Sequence, residues 1–252
     1  MKRYLGLTLA LATVAAIGTA GGGAARANNN NIVIKGNYFK FNNYRYYRNN
    51  AEKIQLGSYG EKRTPLGGRH ELIPHSRISS GNLDKYAHVH TAFSGPIDWT
   101  GYSSQNFNFG AGVQFIAAGG SVDFAHSASE MNSGHLELME LYIDEGPMEN
   151  TLNHSGACLT FLDDEGSDGR VADVIWVVID GDLASTVANS NSIGVSGTYD
   201  AIDLSVGGGG GGGSTVHIHL TPGQTFAYNL VKVSKWGKHH ESVDDLKPDP
   251  QN

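Results

Sequence analysis

Alternation of apolar and polar positions with a period of two recurs along this chain, and it is clearest over residues 191–233. Ile193, Val195 and Tyr199 fall on one phase, and Ile202, Leu204 and Val206 continue one register later, with Ser, Thr and Asp between them. The phase slip between Tyr199 and Ile202 predicts a β-bulge in a single strand. An unbroken glycine run, Gly207 to Gly213, follows. Beyond it Val216, Ile218 and Leu220 alternate with Thr215, His217 and His219, so a second strand is expected to pair back on the first. Seven successive residues without side chains cannot contribute to a core, and the run reads as a flexible hairpin tip.

A related arrangement occupies 108–143. Phe107, Phe109, Ala111, Val113 and Phe115 alternate with Asn108, Gly110, Gly112 and Gln114. Val122 and Phe124 continue after Gly119-Gly120, and Leu136, Leu138, Leu141 and Ile143 return after a polar loop at 126–134. Near the beginning, Ile32, Ile34, Tyr38, Phe39 and Phe41 predict a strand pair around Gly36-Asn37. Tyr44-Arg45-Tyr46-Tyr47-Arg48 predicts an edge strand with solvated arginines, and residues 51–80 read as long loops. The continuous apolar run Val174 to Ile179, containing Trp176, predicts a strand covered on both faces and the centre of the core. A last strand carries Phe226, Tyr228 and Leu230. Long stripes of helical period are absent. The expected class is therefore mainly β, all-β or α+β: an antiparallel sheet with two long amphipathic hairpins, at 108–143 and 192–220.

The first 27 residues have another use. Lys2 and Arg3 precede an apolar run from Leu5 to Ile17, and Ala25-Arg26-Ala27 supplies small residues for cleavage, which together predict a secretory signal peptide and an exported protein, secreted or periplasmic. Residues 28–236 are then expected to form a single β-rich domain, and 237–252 a polar tail that is disordered or lies on the surface. The whole chain carries a formal charge of −7, with 18 basic and 25 acidic residues, and cleavage after Ala27 would leave the balance still more acidic. That balance argues against nucleic acid as a partner. Cys158 is the single cysteine, so no intramolecular disulfide is available.

No constellation for nucleophilic catalysis is present. There is no G-x-S-x-G, no glycine run opens onto an expected helix with the lysine of a phosphate loop, and Cys158 near His154 has no recognisable context. The chain reads as non-enzymatic. Histidine is the strongest chemical feature. His88-Val89-His90 and His217-Ile218-His219 would each place two imidazoles on one face of a strand, so His88, His90, His217 and His219 form a candidate set for copper or zinc. The plainer reading places them on the polar face of an alternating strand, with no cofactor at all. The acidic run 163–169 can be read as a calcium loop, but it lacks the twelve-residue frame and closing glutamate, and a turn suffices. The tyrosine–arginine mixture at 44–47 leaves a glycan- or surface-binding module open.

The second half, VADVIWVVIDGDL followed by a small-residue strand, a hairpin and LTPGQTFAYNLVKV, resembles the closing part of the gasdermin pore-forming domain over residues 171–236. The resemblance implies an α/β domain that oligomerises in membranes, with a short C-terminal segment, here 237–252, restraining it. It implies membrane lipid and self-association as partners. Phe107, Phe109, Val113, Phe115, Ile193, Val195, Tyr199, Val216 and Ile218 would form the lipid-facing side of the hairpins. Strands of the required length, roughly 9–11 residues each, fit both stretches. The chain departs from bacterial members in its export signal and in having no cysteine before Cys158.

Overall fold

The computed structural model describes residues 32–66, 70–97, 114–117, 120–123, 136–180, 193–196, 201–206, 214–219 and 223–251. The strands in chain order are β1 (Val33–Ile34), β2 (Tyr38–Phe41), β3 (Tyr44–Tyr47), β4 (Ser58–Arg63), β5 (Glu71–Arg77), β6 (His90–Ile97), β7 (Gln114–Ala117), β8 (Gly120–Asp123), β9 (Leu136–Tyr142), β10 (Gly169–Asp180), β11 (Ile193–Ser196), β12 (Ala201–Val206), β13 (Ser214–His219), β14 (Thr225–Trp236) and β15 (Val243–Pro248). A short helical turn, α1 (Ser80–Asn82), runs into a π-type turn, and two helices, α2 (Glu145–Asn153) and α3 (Gly156–Glu165), connect β9 to β10. The protein is mainly β, built on a largely antiparallel twelve-stranded sheet, with β11, β12 and β13 in a separate three-stranded sheet.

Strand β10 organises the core, as its apolar run leads one to expect. It pairs with β14 along one side and with β4 and then β9 along the other. Ile175, Trp176, Val177 and Val178 are all essentially buried because both faces of the strand are covered. On one face Val171, Ile175 and Val177 join a cluster with Met139, Leu141 and Ile143 of the β9 segment and with Met148, Leu152, Cys158 and Leu162 of the helices. On the other, Trp176 meets Phe39, Phe41 and Tyr46 edge-on, with ring centroids 5.1–5.5 Å apart. Edge-on aromatic pairs add attraction beyond the area they bury.

Several sequence expectations change here. β1 and β2 form the expected pair, with Ile34 opposite Phe39. β3, expected at an edge, is interior: it pairs with β2 on one side and with β14 at Tyr228 on the other. Tyr46, Tyr47 and Arg48 are consequently buried, and the Arg48 guanidinium lies 4.3 Å from the centre of the Phe226 ring. The loops expected over 51–80 contain the β4–β5 hairpin. Gly60 reads as a loop residue in sequence, yet it is there because β5 passes so close that a Cβ would overlap the Ile73 carbonyl oxygen. Pro74, opposite Gly60, is tolerated because β5 ends the main strand path.

Helices α2 and α3 leave only two-turn apolar stripes, Met148–Thr151–Leu152 and Cys158–Leu159–Leu162, too short to stand out as helical period. The stretch 193–206, expected to be one bulged strand, turns back on itself instead. β11 pairs antiparallel with β12, Ile193 opposite Val206 and Val195 opposite Leu204. The phase slip is therefore a reversal of direction and not a bulge. The expected pairing across the glycine run is present, with Val206 opposite Ser214.

Within the tail at 237–252, expected to be disordered or to lie on the surface, Val243–Pro248 form a strand. β15 pairs with the far half of β14, and Val243 and Leu246 are buried. The Asp249 carboxylate accepts from Lys62 Nζ at 2.8 Å and from Arg170 Nε at 2.6 Å, while Tyr47 donates its hydroxyl to the Asp249 carbonyl at 3.0 Å. Gln251 Nε2 reaches the Asn37 carbonyl at 3.0 Å. These contacts fasten the chain's end to three separate strands and to the β1–β2 turn.

Candidate functional site

Strands β6, β9, β10 and β14 pair in that spatial order, each antiparallel to the next. At one end of this ribbon Leu136 of β9 lies opposite both Ile97 of β6 and Asp180 of β10. Thr225, the first residue of β14, is opposite Val177 just below. The chain therefore leaves and re-enters the ribbon twice at the same end. One excursion spans 98–135 between β6 and β9, and the other spans 181–224 between β10 and β14. They overlap the two stretches that the alternating pattern singles out, 108–143 and 192–220, but the expected return segment of the first, from Leu136 onward, is β9 of the ribbon itself, paired with β6 and β10.

Of the hairpin residues, Phe115 lies on β7, Ile193 and Val195 on β11, and Val216 and Ile218 on β13. Register puts Ile202 opposite Ile218 and Leu204 opposite both Val195 and Val216, so the apolar positions of the three strands fall in line. Phe107, Phe109, Val113 and Tyr199 lie outside the described residues. β7 pairs in parallel with β10 at Ile179, beside the line that an upward extension of β14 would follow. The outer edge of β14 is filled by β3 at Tyr228 and by β15 from Val231 to Trp236.

The histidine pairs fare differently. His88 closes the π-type turn with a left-handed backbone (φ 47°), and β6 begins only at His90. The shared strand face that the H-x-H spacing requires is therefore missing at this pair. His90 instead stacks on Tyr142, with ring centroids 5.2 Å apart, and its Nε2 lies 3.1 Å from Asp144 Oδ2. His217 and His219 are on β13, opposite Asp203 and Ala201, and their side chains lie outside the description. Among the described residues, ligand-type atoms gather within 4.8 Å of one another at Glu145, Glu149 and Asp245, which are surface or half-buried carboxylates. Cys158 is buried, and desolvation pushes its thiol up, away from the thiolate a nucleophile needs.

Sequence reasoning missed a polar inclusion in the ribbon. Asp173 of β10, nine-tenths buried, sits in the irregular register between Ala172 and Val174, and its Oδ1 has no hydrogen-bond partner. Glu140 of β9 accepts from the Tyr46 hydroxyl at 3.2 Å. Burial pushes Glu140 up to about 7, against the opposing pull of the Tyr46 hydrogen bond. Burial first, and then the neighbouring Glu140 charge, push Asp173 up to about 7, against the opposing pull of backbone hydrogen bonds at Asp173 and Val174. The available signal was a single Asp interrupting the apolar sequence of β10. Tyr44 is exposed and Arg45 lies over the Tyr38 ring at 5.1 Å, so the surface-binding patch read at 44–47 shrinks to these side chains.

Comparison of the chain with protein-family models, with curated proteins and with solved structures gave no match.

Proposed function

We propose that this is an exported, non-enzymatic protein that inserts β-hairpins into a membrane and self-associates there into a pore. The observation that carries the reading is the shared exit: both amphipathic excursions, 98–135 and 181–224, leave one end of the β6–β9–β10–β14 ribbon. Extended in register, they would prolong four adjacent antiparallel strands, and each excursion is long enough for two crossings of roughly 9–11 residues. A lipid environment demands that every backbone polar group be paired, which such a ribbon achieves everywhere except at its two edges. Closure of the edges then requires neighbouring protomers, β14 of one meeting β6 of the next.

The change asks for specific rearrangements. The β11–β12 reversal must straighten, β7 must leave Ile179, and the outer edge of β14 must be freed of β3 at Tyr228 and of β15. The last of these gives residues 237–252 the restraining part that the gasdermin resemblance implies. Dye release from anionic liposomes tests the reading with the chain from residue 28 to 252. Graded release that rises with protein concentration supports insertion; absence of both release and lipid binding across pH and lipid composition excludes it.

A further inference from the structure

A cavity of about 370 Å³ opens beside the ribbon, lined by residues of β6, β9, β10, β14 and β15 and by the start of α2. Its polar lining is almost wholly acidic. Asp173 and Glu140 line it from the sheet, and Asp144 and Glu145 line it from the segment entering α2. Glu149 and Asp245 gather with Glu145, adding further negative charge nearby. The remaining lining is chiefly apolar, from Ala92, Ile143, Met148, Val174, Val231 and Leu246. Among the described residues, neither lysine nor arginine lines it.

One oxygen of the Asp173 carboxyl, Oδ1, supplies the independent sign of a missing partner, while backbone N–H groups at Asp173 and Val174 serve the carboxyl otherwise. A carboxylate oxygen that is buried and unpartnered costs free energy, because the water it gave up has not been replaced. A bare metal ion fits this poorly, since Glu140 and Asp173 belong to no described group of three or more His, Cys, Asp or Glu residues whose ligand atoms converge within 4.8 Å. The mixture of carboxylates and apolar walls instead suits a cation with a hydrocarbon body. We propose that this cavity binds a small organic ammonium ion, with its nitrogen between Glu140 and Asp173 and its alkyl part against Ala92, Val174 and Met148. The site does not depend on membrane insertion, so either reading can fail without the other.

Binding should strengthen as pH rises. Below neutrality the two carboxyls hold protons, and above it they present the charge that an ammonium needs. The titratable groups facing them are Tyr46 from β3, Tyr142 of β9, Asp144 and Glu145 at the entry to α2, and His90 of β6 through its contacts with Asp144 and Tyr142. Arg45 lines a smaller adjoining cavity that shares Val174 and Pro248.

Isothermal titration of the intact chain with n-pentylammonium, and with 1-pentanol as its neutral counterpart, tests the assignment at pH 5.5 and 8.5. The expected result is ammonium affinity at least tenfold above that of 1-pentanol and at least tenfold higher at pH 8.5. Glu140→Gln and Asp173→Asn should each weaken it tenfold or more. Vesicles containing phosphatidylethanolamine, compared with phosphatidylcholine at equal anionic content, distinguish the sources of the ammonium: preferential binding that Asp173→Asn abolishes marks a headgroup, and its absence a free amine. Equal binding of 1-pentanol, affinity independent of pH, or undiminished affinity in both variants overturns the assignment. The first two comparisons use the unmodified sequence and decide the matter even where a variant unfolds.

Discussion

Asp173→Asn should stabilise the protein in mildly alkaline solution and do little in acid. The carboxyl is held at about 7 in the fold against an ordinary value of 3.8, chiefly because burial penalises its charged form. A group whose folded value is raised contributes its full stability below the unfolded value and loses it as pH climbs through the folded one. The wild type therefore pays a growing penalty between about pH 4 and pH 7, and the penalty is constant above that. A shift of this size corresponds to an upper limit on the order of 4 kcal/mol, at about 1.4 kcal/mol per unit. Part of it passes through Glu140, whose charge also raises Asp173. A gain of about 2–3 kcal/mol at pH 8 is the working expectation, with near-equality at pH 4. Urea denaturation followed by tryptophan fluorescence at the two pH values measures the difference. Parallel pH profiles for the two proteins, or a variant less stable at pH 8, would refute the reasoning.

Two further substitutions probe the frame that holds the ribbon. Asp249→Asn should cost about 2–3 kcal/mol at pH 7 by leaving the buried Arg170 with carbonyl partners alone, as urea midpoints would register. Lys62 and Arg170 together hold the Asp249 carboxyl below its ordinary range despite partial burial, so its contribution is present at neutrality and is lost as pH falls through that lowered value. Gly60→Ala should cost about 2 kcal/mol or more, because its Cβ meets the β5 backbone and neither strand can yield cheaply. A melting temperature unchanged by that substitution would show that β4 and β5 separate readily.

The sequence was most readable where one face of a strand is buried and the other exposed, or where both are covered. The apolar run around Trp176 named the centre of the core, and the alternation around Ile34 and Phe39 named the first strand pair. It was least readable where pairing rests on contacts between distant segments. β15 has only Val243 and Leu246 to bury, and register shifts in β14 break their spacing, so its docking through Asp249 and Gln251 leaves no periodic trace. Gly60 and Pro74 suggested loops because close strand approach and edge placement use the same residues that turns use. The reversal between β11 and β12 preserved the phase pattern of a bulge, since apolar positions remain in line on either path. In the candidate site, the two excursions were legible as alternating stretches. Their common exit from β6, β9, β10 and β14 was not, because strand order is a property of the folded chain.

The most direct test of membrane insertion is an environment-sensitive fluorophore placed at successive positions from 107 to 115, each introduced as a single cysteine on a Cys158→Ser background and read with and without anionic vesicles. The account predicts emission that shifts to the blue at Phe107, Phe109, Val113 and Phe115 and stays aqueous at Asn108, Gly110, Gly112 and Gln114, the period of a strand with one face in lipid. Emission that ignores vesicles at every position, or that shifts without alternation, would contradict it.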